Sequence, residues 1–143
     1  MVKITKSTII HAPVEKVFNY QSDPTNLPEI WPSMVAIKNV RPSASGGKDF
    51  DWVYKMAGMH FDGASETTEQ ITNQRLVTRS VKGIDSTFIW TYTSEESGTR
   101  LSLEVEYNVP IPLLGKLAEA FIVKQNEHEA DVMLANLKDR MET

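Results

Sequence analysis

The strongest constraint on the fold comes from residues 113–143, which read as one long helix. No proline follows Pro112, and leucine, alanine, lysine, glutamate and methionine are plentiful. At 3.6 residues per turn, one largely apolar stripe runs along the whole segment and a second lies near its start. The first comprises Lys116, Ala120, Val123, Glu127, Ala130, Leu134, Leu137 and Met141; the second comprises Leu114, Ala118, Phe121, Gln125, His128 and Val132. We expect a curved sheet to cover the first stripe and to leave a pocket beneath it.

Composition narrows the classes of function. The chain has 143 residues, 41% hydrophobic and 24% charged, which predicts one domain over residues 1–143. A net charge of −4 gives no reason to expect a nucleic-acid partner. The absence of cysteine excludes disulfides and thiolate catalysis. Because the first residues lack the apolar core of a signal peptide and no apolar run could span a bilayer, the predicted location is cytoplasmic.

The remaining sequence predicts seven strands and two short helices. Residues 3–11 mix β-branched and polar residues as a first strand does, and the Ala12-Pro13 and Asp23-Pro24 start signals fit two short helices up to Trp31. Six further strands follow, joined by short turns, over residues 34–40, 50–56, 59–72, 75–82, 88–93 and 100–109. Short turns predict an antiparallel meander.

Alternation assigns the two faces of this sheet. One face is polar, with Asp51, Lys55, Arg100, Glu104 and Glu106; the other is crowded with Phe50, Trp52, Tyr54, Phe88, Trp90, Tyr92 and Tyr107. The long helix must cover the aromatic face, since no other segment is long enough.

Several short segments resemble the START-like superfamily (SRPBCC type), which includes polyketide cyclases/dehydratases, coenzyme Q-binding proteins and the birch-pollen-allergen group. They are residues 10–18, the Asp23-Pro24 turn, Trp31-Pro32, residues 98–101 and residues 134–138. Their order and spacing cover nearly the whole chain. The resemblance implies an α+β helix-grip fold: a seven-stranded antiparallel sheet wrapped around the long C-terminal helix, with two short helices after the first strand and a deep pocket. It does not imply one function, because the superfamily holds lipid carriers, cyclases, hydrolases and chaperone activators.

The aromatic face is the main candidate site. Such residues often only fill a core, but a pocket lined by aromatics with a few polar tips suits an apolar ligand. The predicted function is therefore to bind or carry a small hydrophobic molecule: a lipid, a quinone, a polyketide or a similar aromatic. The predicted ligand-binding residues are Trp31, Trp52, Tyr54, Trp90, Tyr92, Tyr107, Phe121 and Glu127.

Glu127 is the candidate catalytic residue. A buried carboxylate on the pocket-facing stripe would have a raised pKa and could serve as an acid or base. The alternative is that Glu127 is solvated or paired with Lys124 or Arg79. A cyclase/dehydratase-like enzyme is accordingly the second candidate function, with Glu127, Tyr54, Tyr107 and His60 as its acid-base groups. A module that acts on another protein is the third.

Trp31, between two prolines, is either a lid over the pocket or an anchor in the core. An exposed patch from Leu114 to Phe121 would indicate a homodimer or a membrane contact. No histidine–glutamate spacing matches a zinc site and no glycine-rich phosphate loop is present, so neither a metal nor a cofactor is expected.

Overall fold

A computed structural model describes residues 1–143 and confirms the helix-grip architecture. Its strands are β1 (Val2–Ile10), β2 (Met34–Pro42), β3 (Lys48–Met56), β4 (Met59–Ile71), β5 (Arg75–Lys82), β6 (Ser86–Glu95) and β7 (Gly98–Tyr107). Its helices are α1 (Val14–Gln21), α2 (Leu27–Ile30) and α3 (Lys116–Met141), with a 3-10 turn at Pro24–Asn26. None of these helices combines the length and the apolar character that crossing a bilayer demands.

The seven strands form one antiparallel sheet in the order β1-β7-β6-β5-β4-β3-β2. From β2 to β7 the chain is the predicted meander, and β1 completes the sheet by pairing with β7. The β3–β4 hairpin shows why the connections are tight. Its loop is Ala57-Gly58, both with positive φ (52° and 77°), as in the two-residue turn that matches the twist of antiparallel strands.

Burial confirms the predicted facing of the strands. In β3, Phe50, Trp52, Tyr54 and Met56 are all buried, whereas Lys55 between them is exposed. The same alternation runs along β7, where every second residue from Leu101 to Tyr107 is buried. The aromatic residues therefore lie on the inner face, as their spacing predicts.

Register shifts in the sheet allow it to curve around the helix. The β2–β3 pairing shifts between Met34 and Ala36 and again between Lys38 and Arg41. The β4–β5 pairing shifts between Ala64 and Ser65 and between Thr67 and Glu69. Such irregularities bend a strand and increase its twist, so that the inner face becomes concave.

The second half of α3 lies in this concavity, but the predicted stripe is correct only in part. Ala130, Leu134, Leu137 and Met141 are buried as expected, together with Met133. Before Ala130 the stripe is wrong: Lys116, Ala120 and Glu127 are exposed and Val123 is half-buried, whereas Ile122 is buried and Asn126 half-buried. Steps of three and four residues allow two neighbouring tracks along a helix, and only the sheet decides which one it covers.

Gly63 provides the space for one of the inner-face aromatics. It is the cross-strand partner of Trp52, and a Cβ atom built on Gly63 would overlap with Cζ2 and Cη2 of the indole. The same Cβ would lie 2.6 Å from the backbone oxygen of Lys82. The indole therefore occupies the volume that a side chain at position 63 would take.

Gly63→Ala should destabilise the protein by about 1–3 kcal/mol, because the added methyl must displace a buried ring. Gly115→Ala is the matched control: no atom lies within 4 Å of its Cβ position, and the expected cost stays below about 1 kcal/mol at this helix N-cap. Urea unfolding of both variants measures the difference. Equal free energies of unfolding for the two variants would show that the Trp52 ring does not need the space left by glycine at position 63.

Candidate functional site

A cavity of about 100 Å³ lies between the inner face of the sheet and the middle of α3. Strands β3 to β7 form its floor and sides, Ala130 and Met133 of α3 form its roof, and Leu27 and Trp31 close one side. Of the 25 residues in its wall, 16 are hydrophobic. The site thus has the composition of a pocket for an apolar molecule.

Five of the predicted ligand-binding residues meet in this wall. Trp52 and Tyr54 come from β3, Trp90 from β6, Tyr107 from β7, and Trp31 follows α2. Alternation along the strands brings the first four to one face, and the α1–α2 segment brings Trp31 to them. Their role in binding a ligand remains a prediction.

Trp31 packs directly on the sheet. Its ring meets Tyr54 edge-on with a centroid distance of 5.2 Å, and its centroid lies 5.3 Å from that of Phe88. The residue caps the C-terminal end of α2. These contacts fit an anchor as well as a closed lid, so both alternatives stand.

Tyr92 and Phe121 lie outside the cavity, contrary to expectation. Tyr92 is on the inner face of β6, but it lies beneath α1, where it donates a hydrogen bond to Oε1 of Gln21 and packs against Phe18 with a centroid distance of 5.0 Å. Burial raises its pKa well above the usual value. Phe121 is 63% exposed, because the first turns of α3 are not covered by the sheet.

Glu127 also faces away from the cavity, and the prediction of a pocket-facing carboxylate is wrong. Its side chain is 52% exposed and accepts a hydrogen bond from Nζ of Lys6 at 3.1 Å. Nζ of Lys6 also lies 3.2 Å from Oδ1 of Asp131. The hydrogen bonds from Lys6 to the carboxylates of Glu127 and Asp131 raise the pKa of the lysine. Glu127 is therefore paired, although with neither of the two cations considered from the sequence.

The remaining acid-base candidates differ in placement. His60 is exposed on β4, whereas Tyr54 and Tyr107 line the cavity. Burial raises the pKa of both tyrosines, and nearby glutamates of α3 add to the effect. Both are therefore neutral hydroxyls near pH 7, able to donate or accept a hydrogen bond but poor as bases. No group of three or more His, Asp or Glu side chains is arranged to hold a metal ion.

Several polar residues of the wall were not predicted as site residues, and three of them bond to inner-face aromatics. Asn126 donates from Nδ2 to the Tyr107 hydroxyl at 2.9 Å, Ser65 accepts from Nε1 of Trp52 at 2.9 Å, and Gln21 accepts from Tyr92. Asn126 lies four residues before Ala130, so the helical period could have revealed it once the covered track was known.

Glu129 of α3 links the helix to the α2 side of the cavity. It is half-buried and accepts a hydrogen bond from the backbone N–H of Ser33 at 2.9 Å. The bond ties α3 to the segment that carries Trp31. Nε1 of Trp31 itself is buried without any hydrogen-bond partner.

Glu127→Gln should leave ligand affinity unchanged and alter the free energy of unfolding by less than about 1 kcal/mol, because an exposed ion pair contributes little. Dye binding and urea unfolding, compared with the wild type, measure the two effects. A tenfold loss of affinity would contradict the outward placement of this side chain.

Comparisons with known proteins agree with this architecture. TTHA0849 from Thermus thermophilus is 23% identical, with a TM-score of 0.78 over 98% of this chain and 97% of that chain. A START superfamily protein from Mycobacterium smegmatis is 14% identical, with a TM-score of 0.81 over 98% and 97%. The di-domain ARO/CYC StfQ from the steffimycin biosynthetic pathway is 15% identical, with a TM-score of 0.78 over 99% of this chain and 50% of that chain. At such identities these similarities show the fold alone.

A comparison with curated proteins finds no significant match. The family described as polyketide cyclase/dehydrase and lipid transport, in contrast, matches residues 1–142. Together with the seven-stranded sheet, the long C-terminal helix and the cavity between them, this match shows that the chain belongs to the polyketide cyclase/dehydrase and lipid transport family.

Proposed function

We propose that the protein binds or carries a small hydrophobic molecule, such as a lipid, a quinone, a polyketide or a similar aromatic, in the cavity beneath α3. The observation that carries the proposal is the wall itself: Trp31, Trp52, Tyr54, Trp90 and Tyr107 converge there, and the only charged side chain among the lining residues is the exposed Lys48. Apolar ligand surface moved from water into such a site contributes about 25 cal/mol per Å².

The volume of the cavity limits the size of the ligand that it can hold without rearrangement. An apolar cavity of roughly 150 Å³ admits benzene, so about 100 Å³ accommodates a group no larger than a single ring. A larger ligand, such as 1-tetralone or N-phenyl-1-naphthylamine, requires the wall to open. The α2 segment is the side most suited to this, because it is a four-residue helix between prolines rather than a strand of the sheet.

A cyclase/dehydratase-like enzyme is the second candidate function. Its support is the family match and the two tyrosine hydroxyls that face the cavity. Against it, the wall contains no carboxylate or histidine to act as a base, and the raised pKa values of Tyr54 and Tyr107 make them weak acids. Binding therefore has the stronger physical support.

Native mass spectrometry of the protein as purified tests the proposal. A bound apolar molecule that is released on unfolding would support it, and turnover of a polyketide-like substrate would favour the enzyme instead. If the purified protein carries no ligand and binds no uncharged aromatic dye, the proposal fails.

Ala130→Leu should lower the affinity for N-phenyl-1-naphthylamine, an uncharged fluorescent dye, by about tenfold or more. Ala130 is buried in the roof of the cavity, and a larger side chain there would occupy the ligand's space at a cost of roughly 1–3 kcal/mol per displaced methylene. Ala120→Leu, on the exposed part of the same helix, is the control and should bind the dye as the wild type does. Equal dye affinities of the two variants would place the dye outside the cavity.

The homodimer expected from the sequence stays a prediction, and its surface would be the start of α3. Leu117 is 90% exposed and Phe121 is 63% exposed, one turn apart on α3, and Leu113 just before the helix is fully exposed. An apolar stripe of this kind is a typical protein contact. Leu114, which was expected in the exposed patch, is half-buried instead.

If two copies meet through this stripe, Leu117→Ser should shift the protein from dimer to monomer in sedimentation equilibrium, because a hydroxyl replaces the central leucine of the contact. Val35→Ser is the control, since Val35 is 49% exposed on β2, away from the stripe. A wild type that is monomeric at all concentrations would contradict the homodimer.

A further inference from the structure

The Tyr107 hydroxyl has a hydrogen atom to donate into the cavity. It accepts a hydrogen bond from Nδ2 of Asn126 at 2.9 Å, and this is its only bond to another protein group. A phenolic hydroxyl that accepts one bond keeps its own hydrogen for a second partner. Because chains of hydrogen bonds polarise one another, donation from Asn126 makes this hydroxyl a stronger donor. Both residues line the cavity, so the free hydrogen is available to a molecule inside it.

A second donor in the same wall also lacks an acceptor. Nε1 of Trp31 is buried and makes no hydrogen bond, whereas Nε1 of Trp52 is satisfied by Ser65. Burial raises the pKa of the Tyr54 hydroxyl, and the Trp31 indole lies close enough to lower it slightly, but this contact does not meet the distance and angle limits of a hydrogen bond. A buried N–H without a partner is unusual in folded proteins. The wall therefore contains two donors, at Tyr107 and Trp31, that no protein group accepts.

The charges around these donors disfavour an anionic ligand. Glu119 and Glu127 lie close enough to raise the pKa of Tyr107, after the larger effect of burial, and Glu129 does the same for Tyr54. The one lining cation, Lys48, begins β3 at the end opposite to Tyr54. Six residues of extended strand separate them by about 20 Å. No charged side chain other than Lys48 lines the cavity, so a carboxylate placed at Tyr107 would have no lining cation on α3 or β7 to pair with. Lys6 nearby is already paired with Glu127.

We infer that the Tyr107–Asn126 pair is the specificity-determining contact of the cavity, and that it selects an uncharged ligand with a carbonyl oxygen, as in a ketone or a quinone. This inference rests on the proposed function. The pair disfavours plain hydrocarbons, because they leave the Tyr107 hydroxyl without an acceptor. It also disfavours fatty acids and other carboxylates, because they bring a charge into an apolar site that has negative side chains nearby.

Three compounds that share one bicyclic framework test the inference by calorimetry at pH 7. They are tetralin, 1-tetralone and 1,2,3,4-tetrahydro-1-naphthoic acid. The wild type should bind 1-tetralone about five- to tenfold more tightly than tetralin, as expected for one hydrogen bond between neutral groups. It should bind the ionised acid more weakly than tetralin.

Two tyrosine variants locate the effect. Tyr107→Phe should reduce the affinity for 1-tetralone to that for tetralin and leave tetralin binding unchanged. Tyr20→Phe is the control, because it also removes a tyrosine hydroxyl, but one that donates to Glu29, and neither Tyr20 nor Glu29 lines the cavity. The preference for 1-tetralone should persist in this control.

A spectroscopic measurement needs no variant and so remains valid if Tyr107→Phe fails to fold. The carbonyl stretch of carbon-13-labelled 1-tetralone should move to lower frequency on binding to the wild type, relative to its value in an apolar solvent. An unshifted band, a preference that survives in Tyr107→Phe, or tighter binding of the acid would overturn the inference. If the three compounds bind equally well, the inference falls and the proposed function stands; if none binds, both fall.

Discussion

The packing of the second half of α3 into the concave sheet is the interaction on which the rest of the structure depends. Leu134, Leu137 and Met141 are buried there and close one end of the interior. Toward the middle of the helix the side chains on the covered track become small or polar, at Ala130 and Asn126. Large aromatics continue on the sheet side, but the helix no longer fills the space between them. The cavity lies where this packing changes.

Hydrogen bonding separates two groups of inner-face aromatics. Tyr92 is bonded to Gln21 beneath α1 and belongs to the part of the core that holds the first helix. Tyr107 and Trp31, in contrast, line the cavity and each has a donor that no protein group accepts. In a low-dielectric interior an unmet donor is costly, so these two positions are where a bound molecule could add a favourable contact.

The attachment of α3 to its surroundings is uneven along its length. Near its C-terminal end Lys138 donates to the backbone oxygen of Ile9 at 2.7 Å, and Asn136 donates to that of Ile30 at 3.0 Å. Glu129 accepts from the backbone of Ser33. These bonds hold the roof of the cavity against β1 and α2, whereas no residue from Lys116 to Phe121 is buried. The apolar residues at the start of the helix are therefore free to contact another molecule.

Local patterns in the sequence determined the elements and the faces of the sheet. Alternation in β3 and β7 has a period of two, and a one-residue slip would bury Lys55 and expose Trp52, so the facing could be predicted without coordinates. The long helix and four of its buried residues, Ala130, Leu134, Leu137 and Met141, followed from the same kind of periodicity, whereas the buried Met133 did not. Only the tertiary structure decided which track of α3 the sheet covers before Ala130. That choice moved Glu127 to the surface beside Lys6 and brought Asn126 to Tyr107. The physical reason is that a helix offers neighbouring tracks with similar spacing, and the selection between them depends on a sheet whose curvature arises from pairings distant in sequence.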